Sequence, residues 1–251
     1  MAGFFIPDPR FEMPSLLEPG RKPVGPVEID WQDGLTRGLK SFVISRPELI
    51  EIAKNTPLIA ATGSSTIDSS FGHGPTYTTD DSTSTTYTTN FGSIGSNSGF
   101  TVLARFYLTA IDSFGAPIFY SLNGSGSNRR IEIGQNGSGK IYVSFNTTWQ
   151  KTWTKSFPLN EWVTAVGVMR PDLTCTIYVK DSSGIFSETV TDIADNGDFS
   201  INEMGFGASQ ESPGTRNCTG SIELSGLWNR PASEGEARLI VNNPYQFLIP
   251  K

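Results

Sequence analysis

Phe100-Thr101-Val102-Leu103-Ala104-Arg105-Phe106-Tyr107-Leu108 is the stretch from which the fold can be read. On an extended chain Phe100, Val102, Ala104, Phe106 and Leu108 share one face, while Thr101, Leu103, Arg105 and Tyr107 share the other. This period of two is a strand signature. The device repeats downstream. Ile131 and Ile133 alternate with Arg130 and Glu132. Gln135-Asn136-Gly137-Ser138-Gly139 then supplies a hairpin turn, because Asn and Gly accept positive φ. Ile141, Val143 and Phe145 return on the next strand. Residues 161–169 and 174–180 form another pair around Arg170-Pro171-Asp172, and 204–208 and 221–228 add two more strands. Short strands separated by turns predict an all-β protein, an antiparallel two-sheet sandwich of the jelly-roll type.

The composition agrees. The chain has 251 residues, of which 37% are hydrophobic and 18% charged, with 26 Gly and 16 Pro. Charged residues fall below the usual quarter (about 25%), and turn formers replace them. The net charge of −6 supplies no basic field for a phosphate backbone, so no nucleic-acid partner is expected. No stretch approaches the roughly 18 apolar residues of a membrane span, and none is expected to insert. The start, with Phe4, Phe5 and Ile6 stopped by Pro7-Asp8-Pro9, lacks the pattern of a signal peptide. Cys175 and Cys218 belong to no CxxC pair and read as buried free thiols.

Composition divides the chain. Residues 1–48 carry Pro7, Pro9, Pro14, Pro19, Pro23, Pro26 and Pro47. Such a stretch resists a central strand or a long helix. It also carries Phe4, Phe5, Phe11, Leu16, Leu17 and Trp31, apolar anchors that need a surface to lie on. It is expected to be an extended N-terminal anchoring arm, with residues 49–251 forming the jelly-roll domain. Residues 61–100 contain 19 Ser or Thr and no Lys or Arg. Thr and Tyr favour strands, so this stretch reads as exposed strands and loops. One helix breaks the pattern. Ser233 and Glu236 form a capping box after Pro231, predicting a helix over 234–241 that ends at Asn242-Asn243-Pro244. Its Ala237, Leu239 and Ile240 would lie against the sandwich edge.

Two segments carry a resemblance. The first runs from Glu18-Pro19-Gly20-Arg21-Lys22-Pro23 through Glu28-Ile29-Asp30-Trp31 to Leu35-Thr36-Arg37-Gly38-Leu39. The second is Leu227-Trp228-Asn229-Arg230, Ser233, Glu236, Asn243-Pro244-Tyr245-Gln246-Phe247 and Pro250. Together they resemble tailed-bacteriophage structural proteins with a laminin-G-like, concanavalin A-like jelly roll. Phe100 to Leu108 looks like that fold's first core strand, and Asn160-Glu161-Trp162-Val163-Thr164-Ala165-Val166 like its Trp-bearing central strand. The resemblance implies a two-sheet sandwich on a virion, on head or tail.

Candidate chemistry is sparse. Glu28-Ile29-Asp30-Trp31-Gln32-Asp33 is similar to the Glu-Ile-Asp-x-x-Glu of laminarinase-type glycosidases, in which paired carboxylates act as nucleophile and acid/base. The last acid here is Asp33, and the motif sits in the Pro-rich stretch. His73, the only histidine, offers too little for a triad or a His metal site. No cofactor is expected. The laminin-G-like resemblance implies calcium at a loop rim as the one candidate ion, with Asp80, Asp81, Asp112, Asp172 and Asp195 as oxygen donors. Tyr142, Trp149 and Trp153 are the candidate glycan or partner contacts, because exposed aromatics near a turn suit sugar CH groups. Trp162 and Trp228 read as core.

The expectation is therefore a non-enzymatic phage virion structural protein, a capsid decoration or head-surface protein anchored by its arm and projecting a lectin-like domain. The alternative is a tail or fibre module that binds a receptor or glycan. Expected partners are the major capsid protein or another virion protein, further copies of the chain as an oligomer such as a trimer, and a host surface glycan. The expected location is the particle surface, after synthesis in the host cytoplasm.

Overall fold

The computed structural model describes residues 26–45, 49–53, 56–57, 60–62, 66–68, 74–77, 85–95, 97–111, 115–122, 130–145, 150–193, 198–206 and 218–251. Its strands are β1 (Val27–Ile29), β2 (Leu39–Ser45), β3 (Leu49–Glu51), β4 (Thr56–Pro57), β5 (Ala60–Thr62), β6 (Thr66–Asp68), β7 (Gly74–Tyr77), β8 (Thr85–Gly95), β9 (Phe100–Ile111), β10 (Gly115–Leu122), β11 (Arg130–Asn136), β12 (Ile141–Phe145), β13 (Gln150–Thr152), β14 (Trp162–Met169), β15 (Cys175–Asp181), β16 (Gly184–Val190), β17 (Asp198–Phe206), β18 (Cys218–Trp228) and β19 (Leu248–Pro250). The helix α1 spans Glu234–Asn242.

Among the described residues these strands form two large antiparallel sheets. One has seven strands in the order β13-β12-β11-β10-β17-β8-β5. The other has ten, ordered β16-β15-β14-β9-β18-β2-β3-β4, with β7 pairing β18 and β6 pairing β7. The expected sandwich is thus what forms. The predicted inner face of β9 meets Ile131 and Ile133 of β11 and Ile141 and Val143 of β12 in one core. Phe106 packs edge-on against Phe157 at 4.9 Å. Burying each such side chain contributes about 1.5–3 kcal/mol. The β11–β12 turn closes as expected, with Gly139 at φ 76° and the Asn136 side chain accepting from the Ser138 and Lys140 N–H groups, both at 3.0 Å.

The ten-stranded sheet is buried on its second face too, which alternation in β9 alone does not reveal. Val163, Ala165 and Met169 of β14 join the inter-sheet core, while Val166 and Val168 face a separate back cluster. A strand covered on both sides reads as a continuous apolar run. The cover is a third layer made of α1, the ribbon of β1 and β19, and the residues joining them. The Ser233–Glu236 capping box forms, and Arg230 grips Glu236 at 2.7 and 3.0 Å. That guanidinium is the main reason the Glu236 carboxyl is held down to about 2. α1 packs over β14 and β15, on the sheet's face rather than the sandwich edge. Ala237 and Ile240 are buried, but Leu239 is exposed.

The boundary of the arm is corrected. Residues 27–45 belong to the domain, because β1 pairs β19 and β2 pairs β18 inside the ten-stranded sheet. The Trp228 indole N–H donates to the Leu35 carbonyl at 2.7 Å, and Arg230 Nε donates to the Arg37 carbonyl at 2.6 Å. Prolines stop at Pro26 within this stretch, and Leu39–Ser45 is proline-free. Phe4, Phe5, Phe11, Leu16 and Leu17 lie outside the described residues.

β18 carries a bulge that alternation could not foretell. Its register against β9 shifts between Ile222 and Leu224, which brings Glu223 to the back face beside Arg105. Arg105 Nε donates to Glu223 at 2.5 Å and Nη1 to Thr164 at 3.0 Å. The guanidinium lies 5.3 Å from the centre of the half-buried Trp162 ring. Where β18 passes Tyr107, only glycine fits: a Cβ on Gly220 would stand 2.0 Å from the Tyr107 carbonyl oxygen. Cys175 is a buried free thiol as expected, and burial pushes its pKa up to about 12. Among the described residues no helix is long and apolar enough to cross a membrane.

Candidate functional site

β1 builds one wall of an open cleft. Val27 and Ile29 turn inward and Glu28 outward, as period-two geometry requires. Glu28 lies opposite Ile249 in the ribbon. The chain then turns sharply. Asp30 N–H donates to the Phe247 carbonyl at 2.9 Å, and its carboxylate accepts from Gln32 N–H at 2.9 Å. Asp33 caps a single 3-10 turn over Gly34–Thr36, accepting from Leu35 N–H at 2.8 Å. Between these two fixed points stands Trp31, 58% exposed.

The opposite wall is Ile52 and Ala53, held from beneath by Glu51. That buried carboxylate accepts from Phe42 N–H at 2.9 Å, from Ala53 N–H at 3.1 Å and from the Ser41 hydroxyl. Ile52 N–H donates to the Phe42 carbonyl at 2.8 Å. Lys251, whose N–H donates to the Pro26 carbonyl at 3.1 Å, completes the lining. The cleft encloses about 320 Å³, at the lower end of ligand-binding clefts (about 300–1,000 Å³). It brings the exposed Trp31, Glu28 and Lys251 together with Val27, Ile29, Ile52 and Ala53. That combination stacks against CH groups while bonding hydroxyls.

Other candidate residues separate. Tyr142 and Trp153 are buried, so the expectation of an exposed platform is corrected for both. β13 ends at Thr152, and Trp153 turns into the inter-sheet core, where its indole N–H donates to the Glu188 carbonyl on β16 at 2.8 Å. The Tyr142 hydroxyl lies 3.4 Å from buried Glu132. Trp149 lies outside the described residues, as do His73, Asp80, Asp81, Asp112 and Asp195. The Asp172 carboxylate accepts from both the hydroxyl and the N–H of Thr174, which lower its pKa. Among the described residues no group of three or more His, Cys, Asp or Glu gathers. In the Glu28–Asp33 motif, Asp30 and Asp33 hold the turn and Glu28 faces the cleft. Trp31, expected as an arm anchor, is exposed and lines the cleft. Its signal was a large aromatic bracketed by two turn-forming acids, a pattern that presents a side chain to solvent.

A family model described as the concanavalin A-like lectin/glucanases superfamily matches residues 80–238, more than half of the chain. The chain belongs to this superfamily. The concanavalin A-like fold also aligns with solved sialidases of Trypanosoma rangeli. One, in complex with sialic acid, shows a TM-score of 0.58 at 13% identity over 82% of this chain and 33% of that one. Another, in complex with 2,3-difluorosialic acid, shows 0.60 at 13% identity, over 93% of this chain and 37% of that one. A protein titled as the W1252A mutant of HCR D/C VPI 5995 gives 0.59 at 11% identity, over 83% and 53%. The chain thus spans about a third of the sialidase chains. No curated protein matches it in sequence. The expectation of a non-enzymatic protein is corrected by these neighbours, which are enzymes, and by a superfamily whose description takes in glucanases beside lectins.

Proposed function

We propose that this concanavalin A-like domain binds carbohydrate, and that the cleft at Trp31 is the binding site. The observation that carries the reading is Trp31 itself, an indole 58% exposed on the wall of a cleft that also holds Glu28 and Lys251. A large aromatic held open to water by capped turns on both sides is costly for stability and useful for stacking. The superfamily's lectins and the sialic acid in the sialidase neighbour support a sugar as the ligand. Trp31→Ala should weaken binding of an oligosaccharide found by glycan array about tenfold, in the range of one stacked aromatic (about 1–1.5 kcal/mol). The melting temperature should stay within a degree or two, because the side chain packs on little. Isothermal titration of wild type and variant reads both. Unchanged affinity would remove the cleft from consideration.

A virion role is the second reading. What supports it is that the described parts of the two segments carrying the phage-type resemblance, far apart in sequence, stitch into one layer through β1–β19, Trp228–Leu35 and Arg230–Arg37. In that setting the capsid protein is the partner and the sugar lies on the host surface. Quantitative mass spectrometry of purified particles tests it: many copies per capsid mean decoration, a handful mean a tail component, and absence ends the reading.

A further inference from the structure

Resting on the reading of the Trp31 cleft as a sugar site, we propose that it selects amino sugars bearing a free ammonium group and disfavours sialosides, with Glu28 as the deciding residue. Glu28 sits on the exposed face of β1 and lines the cleft. Among the described residues its carboxylate engages no hydrogen bond and no ion pair, so its charge is available to a ligand. Asp30 and Asp33 stand on either side of Trp31, and each accepts only backbone N–H groups, which leave the carboxylate charge in place. Among the described residues that line the cleft, Lys251 is the one cationic residue. Glu28 in the lining and Asp30 and Asp33 on either side of Trp31 along the chain set three carboxylates against the one ammonium of Lys251, a negative balance that salt screens over roughly 8–10 Å.

A sialoside would bring its own carboxylate into that field and be repelled. An N-acetylhexosamine would be accepted without electrostatic gain. A hexosamine with a free ammonium group would gain twice, by pairing with Glu28 and by presenting a cation near the Trp31 ring. The pair is exposed, so the gain is modest, about three- to fivefold in affinity. The selectivity is therefore opposite to that suggested by the sialic acid bound in the sialidase neighbour.

Titration calorimetry of the full chain at mildly acidic pH and low salt tests this with a chitosan tetramer, a chitin tetramer and sialyllactose. The expected order is chitosan tightest by about three- to fivefold, chitin next, sialyllactose without measurable binding. In Glu28→Gln the chitosan advantage should vanish while chitin binding persists, and added salt should shrink the advantage in wild type. A chitosan advantage that survives in Glu28→Gln overturns the assignment of Glu28. Equal binding of all three sugars, abolished by Trp31→Ala, overturns the charge selectivity and leaves the sugar site standing. Binding of none of them by wild type removes both.

Discussion

Replacing Trp228 by alanine should cost about 3–5 kcal/mol of folding stability, the range for emptying a buried tryptophan site. Trp228 is 1% exposed. Its ring covers Gly226, where a Cβ would stand 2.8 Å from the indole, and it meets Phe247 edge-on at 6.1 Å. Truncation therefore opens a cavity between the ten-stranded sheet and the back layer, and it strands the Leu35 carbonyl that accepted the indole N–H. Trp228→Phe separates the two effects. It keeps most of the volume and loses the hydrogen bond, at about 1 kcal/mol. Urea denaturation of both variants reads the difference. A loss below 1 kcal/mol in Trp228→Ala would mean that the back layer contributes little to the cooperative unit.

Arg105→Ala should cost a similar amount, about 3–5 kcal/mol, for a different reason. Glu223 retains 3% of its side-chain surface, so removing its partner leaves a carboxylate in a site that water barely reaches. Thr164 loses its donor as well. The neighbouring Tyr245 hydroxyl stays neutral and cannot replace the lost positive charge. It makes no hydrogen bond of good geometry, and burial, then the Glu223 charge, hold its pKa well above 10. The double variant Arg105→Met, Glu223→Leu should recover most of the loss, because a buried pair replaced whole by apolar side chains is often neutral. A double-mutant cycle in urea measures the coupling. If the double variant is as unstable as Arg105→Ala, the contact of the guanidinium with the Trp162 ring carries the stability and the ion pair with Glu223 does not.

Much of the architecture is legible before any coordinate. The alternation in β9, the Asn-Gly turn after β11 and the Ser233–Glu236 box are local signals, each set by backbone geometry within a few residues, and each element forms where it is expected. What was misread depends on distant partners. Leu39–Ser45 sits among prolines, yet Phe42-Val43-Ile44 is the short apolar run of a strand buried on both faces, and β18 supplies its partner. Trp153 looks like an exposed aromatic beside a turn until Glu188, thirty-five positions away, takes its N–H. The bulge at Glu223 inserts one residue into a regular ladder, and no periodicity announces that. In the candidate site, Glu28 and Trp31 stood out as residue types. Their joining with Ile52, Ala53 and Lys251 needed the β1–β19 ribbon, whose two strands lie at opposite ends of the described chain.

That ribbon sets a timetable for synthesis. β2 must wait for β18, and β1 for β19, so the first described strands leave the ribosome long before their neighbours exist. Loop closure over such separations is slow, and the edges stay uncovered meanwhile. Between the synthesis of β2 and that of β18 the nascent chain carries Phe42, Ile44 and Leu103 unburied, a state that invites aggregation and chaperone binding. The back layer cannot close before β19 has been made, and the Trp31 cleft, walled by β1 and lined by Lys251, comes into being only with that closure.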